Sequence, residues 1–194
     1  MDVDASWDII DRVIYDRLPA VAETLRGPVS DEDLERLVST TGRELPADFV
    51  TSLRRHDGQD NPSGLLDLFD LHTLLSVDAM IACSDMRAGA LGTDVDSDDY
   101  SWMTPDKVRT IPNCRGWLQF ADAQGDGYAL DLDPLPAGTP GQIILLPADG
   151  PTPAPEFTSY GAWLACLAEK FDAGAFRIDD TLGLVLDQGL WRQA

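Results

Sequence analysis

Two histidines, three cysteines and a surplus of aspartates are the residues of this chain that could do chemistry. His56 precedes Asp57-Gly58 at what reads as a helix end, where an imidazolium suits the negative end of the helix dipole. His72 falls in a strand-loop region. Neither accompanies a Gly-x-Ser-x-Gly elbow or a cysteine signature, so both read as structural. Cys83, Cys114 and Cys166 are far apart, odd in number and without a Cys-x-x-Cys pair. That argues against a disulfide framework and a thiolate zinc site, and fits a reducing compartment. Neither phosphate-cradling glycine motif is present, and the acid of Gly125-Asp126-Gly127 would repel a phosphate.

The acids invite a test for calcium. Asp122, Gln124, Asp126, Gly127 and Asp133 fall at positions 1, 3, 5, 6 and 12 of an EF-hand register. Gln124 stands where an acid belongs, Asp133 replaces the bidentate glutamate, and strands flank the loop where helices should. A β-hairpin turn explains the same residues. In the run Asp94-Val95-Asp96-Ser97-Asp98-Asp99 the sixth position is an aspartate where glycine is needed, which leaves a solvated acidic loop. Tyr100 and Trp102 follow at once, and aromatics beside acids suit a protein interface. Asp131 and Asp133 share one strand face, but in so acidic a chain some carboxylate pair aligns by chance. No cofactor or metal is expected, and no enzyme.

Elements must position these residues. The 194 residues suffice for one domain with its own core, and 44% hydrophobic with 25% charged residues is an ordinary globular balance. Residues 6–25 read as helical, with Ser6 as N-cap, Trp7, Ile10, Ile14 and Leu18 on one stripe, and Pro19 interrupting. Ser30 with Asp33 resembles a capping box before a helix whose stripe is Leu34, Leu37 and Val38, stopped by Gly42. Pro46 opens a third helix that buries Phe49, Val50 and Leu53. Leu68 to Leu71 reads as a strand, Ser76 to about Ala90 as a helix, and 92–110 as a long exposed loop. Trp117–Phe120 and Tyr128–Asp133 read as a hairpin. Its second strand has an apolar face (Tyr128, Leu130, Leu132) and an acidic one. Gln142–Leu146 is a third strand, central in the sheet. A helix with Tyr160, Trp163, Leu164, Leu167 and Phe171 ends at Gly174. Phe176 and Ile178, then Leu182, Leu184 and Leu186, read as short strands or as a tail packed on the body. Helices, then antiparallel strands, then a helix, means α+β.

The formal net charge of −20 repels phosphate backbones and anionic bilayers, so no nucleic acid and no membrane is expected as partner. It would steer in a basic protein, although acidity also serves solubility alone. The opening MDVDASWDII is acidic where a signal peptide is basic, and no apolar run approaches ~18 residues. A cytoplasmic protein is expected.

In order, the landmarks are Trp7, Ser30-Asp31-Glu32-Asp33, LPADFVTSLRRHDG at 45–58, GWLQFADAQGDGYALDLDPLPAGTPGQII at 116–144 and SYGAWLACLAEKFDAG at 159–174. Together they resemble the SUKH superfamily, which includes fungal cell-wall-assembly regulators and many bacterial proteins. The resemblance spans roughly residues 6–180 and implies a curved, mainly antiparallel sheet with N-terminal helices and a C-terminal helix packed on it. The whole chain, 1–194, then reads as one domain with a tail from 181. It also implies non-enzymatic roles: bacterial members neutralise toxins, and fungal members are scaffolds in cell-wall signalling. Trp7, Leu45, Pro46, Asp57, Gly58, Trp117, Gly125, Asp126, Asp131, Pro134 and Gly141 would be architectural. The first expectation is an immunity protein that binds a basic toxin domain, as a monomer or weak dimer. The alternative is an intracellular scaffold or regulatory module. The expected interface is Asp94, Asp96, Asp98, Asp99, Tyr100 and Trp102, with Asp131 and Asp133 second.

Overall fold

The N-terminal third folds as four helices because its apolar residues recur at helical spacing between capping signals. A computed structural model describes residues 1–64, 66–69, 71–90, 106–111, 114–147, 154–179 and 183–187. The helices are α1 (Val3–Arg17), α2 (Pro19–Ala22), α3 (Asp31–Thr41) and α4 (Ala47–Leu53). α1 begins earlier than Ser6. Its N-cap is Asp2, whose carboxylate accepts from Ala5 N–H at 2.8 Å, and Ser6 is a buried helical residue. Pro19 does open the short second helix. Ser30 caps α3 by accepting from Asp33 N–H at 3.1 Å, and Gly42 ends it in the left-handed region. Val38 departs from the expected stripe. Leu34 and Leu37 are buried, but Val38 is 41% exposed.

β1 (Thr73–Leu74) and α5 (Val77–Ala90) follow. The strand expected at Leu68–Leu71 is instead a tight reversal. Leu71 takes a positive φ of 68°, and His72 N–H donates to the Phe69 carbonyl at 2.7 Å. Pairing begins two residues later, at Thr73.

β2 (Trp117–Ala123), β3 (Asp126–Asp131), β4 (Gln142–Leu146) and β5 (Pro155–Phe157) complete a five-stranded antiparallel sheet in the order β1-β2-β3-β4-β5. The β2–β3 turn is two residues, Gln124 and Gly125, both at positive φ, with Ala123 paired to Asp126. α6 (Tyr160–Asp172) packs along α1, and β6 (Phe176–Asp179) pairs with β7 (Gly183–Leu186) in a separate two-stranded sheet.

Alternation assigns the two faces of the large sheet. Leu118, Phe120, Tyr128, Leu130 and Ile143 join the main core under the helices. There Phe120 meets Tyr160 and Trp163 edge to face at 5.2 and 5.0 Å. Trp117, Ala129, Ile144 and Leu146 face the other way and form a second core with Val108, Ile111 and Cys114. The part of the expected exposed loop at 106–110 is therefore corrected. Val108 is 1% exposed, because the segment before β2 folds back to cover the far face of the sheet.

Candidate interaction surface

Asp131 was expected on an acidic, solvent-facing strand surface. It lies instead at 0% exposure. The second core occupies that face, so Asp131 sits at the sealed end of it. Burial pushes its carboxyl up, and the bond from Gln142 Nε2 at 2.9 Å and that from Asp133 N–H at 3.1 Å partly offset the effect. Gln142 Nε2 also donates to the Lys107 carbonyl at 3.1 Å. Asp131 thus ties the covering segment to β3 and β4, and a partner cannot reach it.

Asp133 is two residues on, with 28% of its side chain exposed. Arg43, from the α3–α4 connection, reaches its Oδ1 at 2.9 Å, and Arg109 reaches its Oδ2 at 3.0 Å. The carboxylate is a clamp between three segments. Asp94, Asp96, Asp98, Asp99, Tyr100 and Trp102 lie outside the described residues. The structure therefore brings Asp131 and Asp133 together as architecture.

The hairpin also decides the calcium register. β3 climbs away from the Gln124-Gly125 turn, which carries Asp133 roughly 20 Å from Asp122 at about 3.4 Å per residue. One ion cannot span that. Among the described residues, no group of three or more His, Cys, Asp or Glu is placed to hold a metal.

His56 is the nearest thing to a catalytic arrangement. Its Nε2 lies 3.0 Å from Asp11 Oδ1, and its Nδ1 lies 3.0 Å from the Arg26 carbonyl. The ring meets Trp7 edge-on at 4.8 Å. Burial would raise Asp11, but hydrogen bonds from His56 and then Arg55 outweigh it and hold the carboxyl below its ordinary range. An aspartate orienting a histidine is half of a triad. Here both ring nitrogens already face oxygen acceptors, which leaves neither free to take a proton from a nucleophile. The cysteines offer no substitute. Burial pushes Cys114 up to about 11, far from the thiolate that chemistry requires.

The landmark residues instead hold one another. Trp7 Nε1 donates to Ser52 Oγ at 2.8 Å, and Ser52 Oγ shares a hydrogen bond with Tyr160 OH at 2.9 Å. Asp48 accepts from Gly161 N–H at 2.8 Å. Asp57 accepts from Val77 N–H at 2.8 Å, capping α5 from a distant turn. A Cβ on Gly58 would lie 2.4 Å from Leu75 C and Ser76 N; one on Gly141 would lie 2.7 Å from Pro46 Cγ. Ser52 was not marked in the sequence, where nothing sets it apart from other helical serines.

Residues 28–166 match the model of the SMI1 / KNR4 family, SUKH-1. The chain belongs to the SMI1/KNR4 family. Among curated relatives, the cell wall biosynthesis/cell cycle regulator smi1 of Schizosaccharomyces pombe is 30% identical over 92% of this chain and 38% of the regulator. A glucan synthesis regulatory protein of Neurospora crassa is 26% identical over 92% of this chain and 40% of its own length. A KNR4/SMI1 homolog of Yarrowia lipolytica is 25% identical over 90% and 31%. The chain thus spans about two fifths or less of these SMI1/KNR4 relatives.

Among the described residues of this SMI1/KNR4 chain, ion pairs with its own acids hold Arg12, Arg26, Arg36, Arg43, Arg54, Arg55, Arg109 and Arg177. Each pair also uses an acid, so the surplus of 34 acidic over 14 basic residues remains as the net charge of −20. Among the described residues, no helix is long and apolar enough to cross a membrane.

Proposed function

We propose that this chain is a non-enzymatic, protein-binding regulatory module that acts on cell-wall assembly or its signalling from the cytoplasm. The observation that carries this reading is the membership in a family whose curated relatives bear the names of cell wall and glucan synthesis regulators. The landmarks Trp7, Asp57, Gly58 and Gly141 serve packing and capping. This fits a module whose landmarks maintain a scaffold while the exposed surface selects the partner. The names of the relatives favour regulation over the toxin neutralisation first expected. The net charge of −20 supports a basic partner under either role.

Affinity capture of the tagged chain from its own cells at low salt, with mass spectrometry, tests this. A protein of wall synthesis or wall signalling is the expected catch. A secreted toxin among the partners would move the reading to immunity. A chain recovered alone that turns over a small molecule would defeat it.

A further inference from the structure

We infer that a hollow between α3 and α4 is a docking site for a basic amphipathic helix of a partner protein. The inference rests on the protein-binding reading above and gives it a surface. The hollow measures about 380 Å³ and is lined by Leu34, Glu35, Val38, Ser39, Leu45 and Val50. Its floor is apolar. Leu34 and Leu45 are nearly closed to solvent, Val50 is half-buried, and Val38 stands 41% exposed on the lip. A β-branched side chain on the solvent face of a helix contributes little to that helix. Here it extends the apolar floor outward, where a partner can cover it.

Charge selects the occupant. The arginines around the hollow are already paired within the fold: Arg36 with Asp33 and Asp78, Arg54 with Asp31, and Arg43 with Asp133. Glu35 on the rim has no ion pair among the described residues, and neither do Glu32, one turn before it, or Glu44, which precedes Leu45. An apolar floor with an unneutralised acidic rim complements two apolar anchors at helical spacing flanked by lysine or arginine. An acidic helix would be repelled, and a second copy of this acidic chain would bring like charge to like.

The probe is a labelled peptide of about 14 residues, roughly four helical turns, with leucines along one face and lysines elsewhere. Its control carries glutamate for every lysine. Fluorescence anisotropy measures binding, and amide shifts in a ¹⁵N spectrum locate it. The lysine peptide is expected to bind with shifts gathered on α3 and α4, and the glutamate peptide not to bind. Val38→Gln should weaken binding roughly tenfold through lost apolar contact. Glu35→Lys should weaken it several-fold and reduce its salt dependence. Both positions are exposed, so both variants should fold, and a thermal melt checks each. No binding, shifts on another surface, or undiminished affinity in Val38→Gln overturns the proposal. So does a wild-type dimer in sedimentation that Val38→Gln dissolves, because that gives the hollow to a second copy. If Val38→Gln captures the cellular partner as well as the wild type does, the hollow is wrong and the protein-binding reading stands. If neither captures any partner, that reading falls and the hollow with it.

Discussion

Replacing Gly58 by alanine separates an architectural landmark from a functional one. Gly58 adopts φ of 72°, and a Cβ there would sit 2.4 Å from Leu75 C and Ser76 N and 2.6 Å from the Leu75 carbonyl oxygen. These are backbone atoms leading into α5, so they cannot swing aside as a side-chain tip would. The left-handed conformation alone costs an alanine about 1–2 kcal/mol. Forcing a methyl into closed packing adds about 1–3 kcal/mol, which together gives about 2–5 kcal/mol. Gly42 is the internal control. Its φ is 63°, yet a Cβ there meets nothing within 4 Å, so only the first cost applies. Urea unfolding followed by tryptophan fluorescence measures both. With a slope of about 2 kcal/mol per molar, Gly58→Ala should lower the midpoint by about 1–2.5 M and Gly42→Ala by about 0.5–1 M. Equal losses would refute the claim that close approach, beyond φ, fixes glycine at 58.

Ser52→Ala removes the shared partner of Trp7 Nε1 and Tyr160 OH, and at about 1–3 kcal/mol per stranded buried group it should cost about 2–6 kcal/mol by denaturant titration. The pH profile should be unusual. Burial raises the carboxyls of Asp57, Asp67, Asp131 and Glu156. Between the ordinary and the raised value the folded state binds more protons, so stability falls as pH rises through that window. Asp11, held low chiefly by His56 and Arg55 against its burial, works in the opposite sense: its contribution is present above the ordinary carboxylate range and is lost as pH falls. The melting temperature should therefore rise as pH falls toward the ordinary carboxylate range, with Asp131→Asn flattening the rise; a steady fall on the approach to that range would contradict it. Asp133→Ala should loosen the Arg43 and Arg109 clamp and cost stability by calorimetry.

The helix boundaries set by Ser30, Gly42, Pro46 and Gly174 were legible because each acts on its immediate backbone. The hairpin was legible because the alternation from Tyr128 to Asp133 and the turn formers at Asp122–Gly127 are local too, although the strands run further, to Ala123 and from Asp126, and leave a turn of only Gln124-Gly125. Two things were not. The far face of the sheet read as solvent-facing because alternation tells faces apart but not what covers them; Val108, Ile111 and Cys114 had no strand pattern to announce that they pack there. Asp131 was misjudged for the same reason, since an aspartate in an alternating strand reads as exposed until Gln142 and the 106–111 segment close over it. The hollow beside Val38 was hidden by its own stripe. Val38 sits one position past Leu37 and reads as core, but α4 shields only part of that face.

Sedimentation of the tagged chain in lysate from its own cells, at about 50 mM and about 500 mM salt, tests the central claim most directly. A protein-binding module with an acidic face should travel as part of a much larger complex at low salt and return toward monomer size at high salt. A chain that sediments as a monomer under both conditions would contradict it.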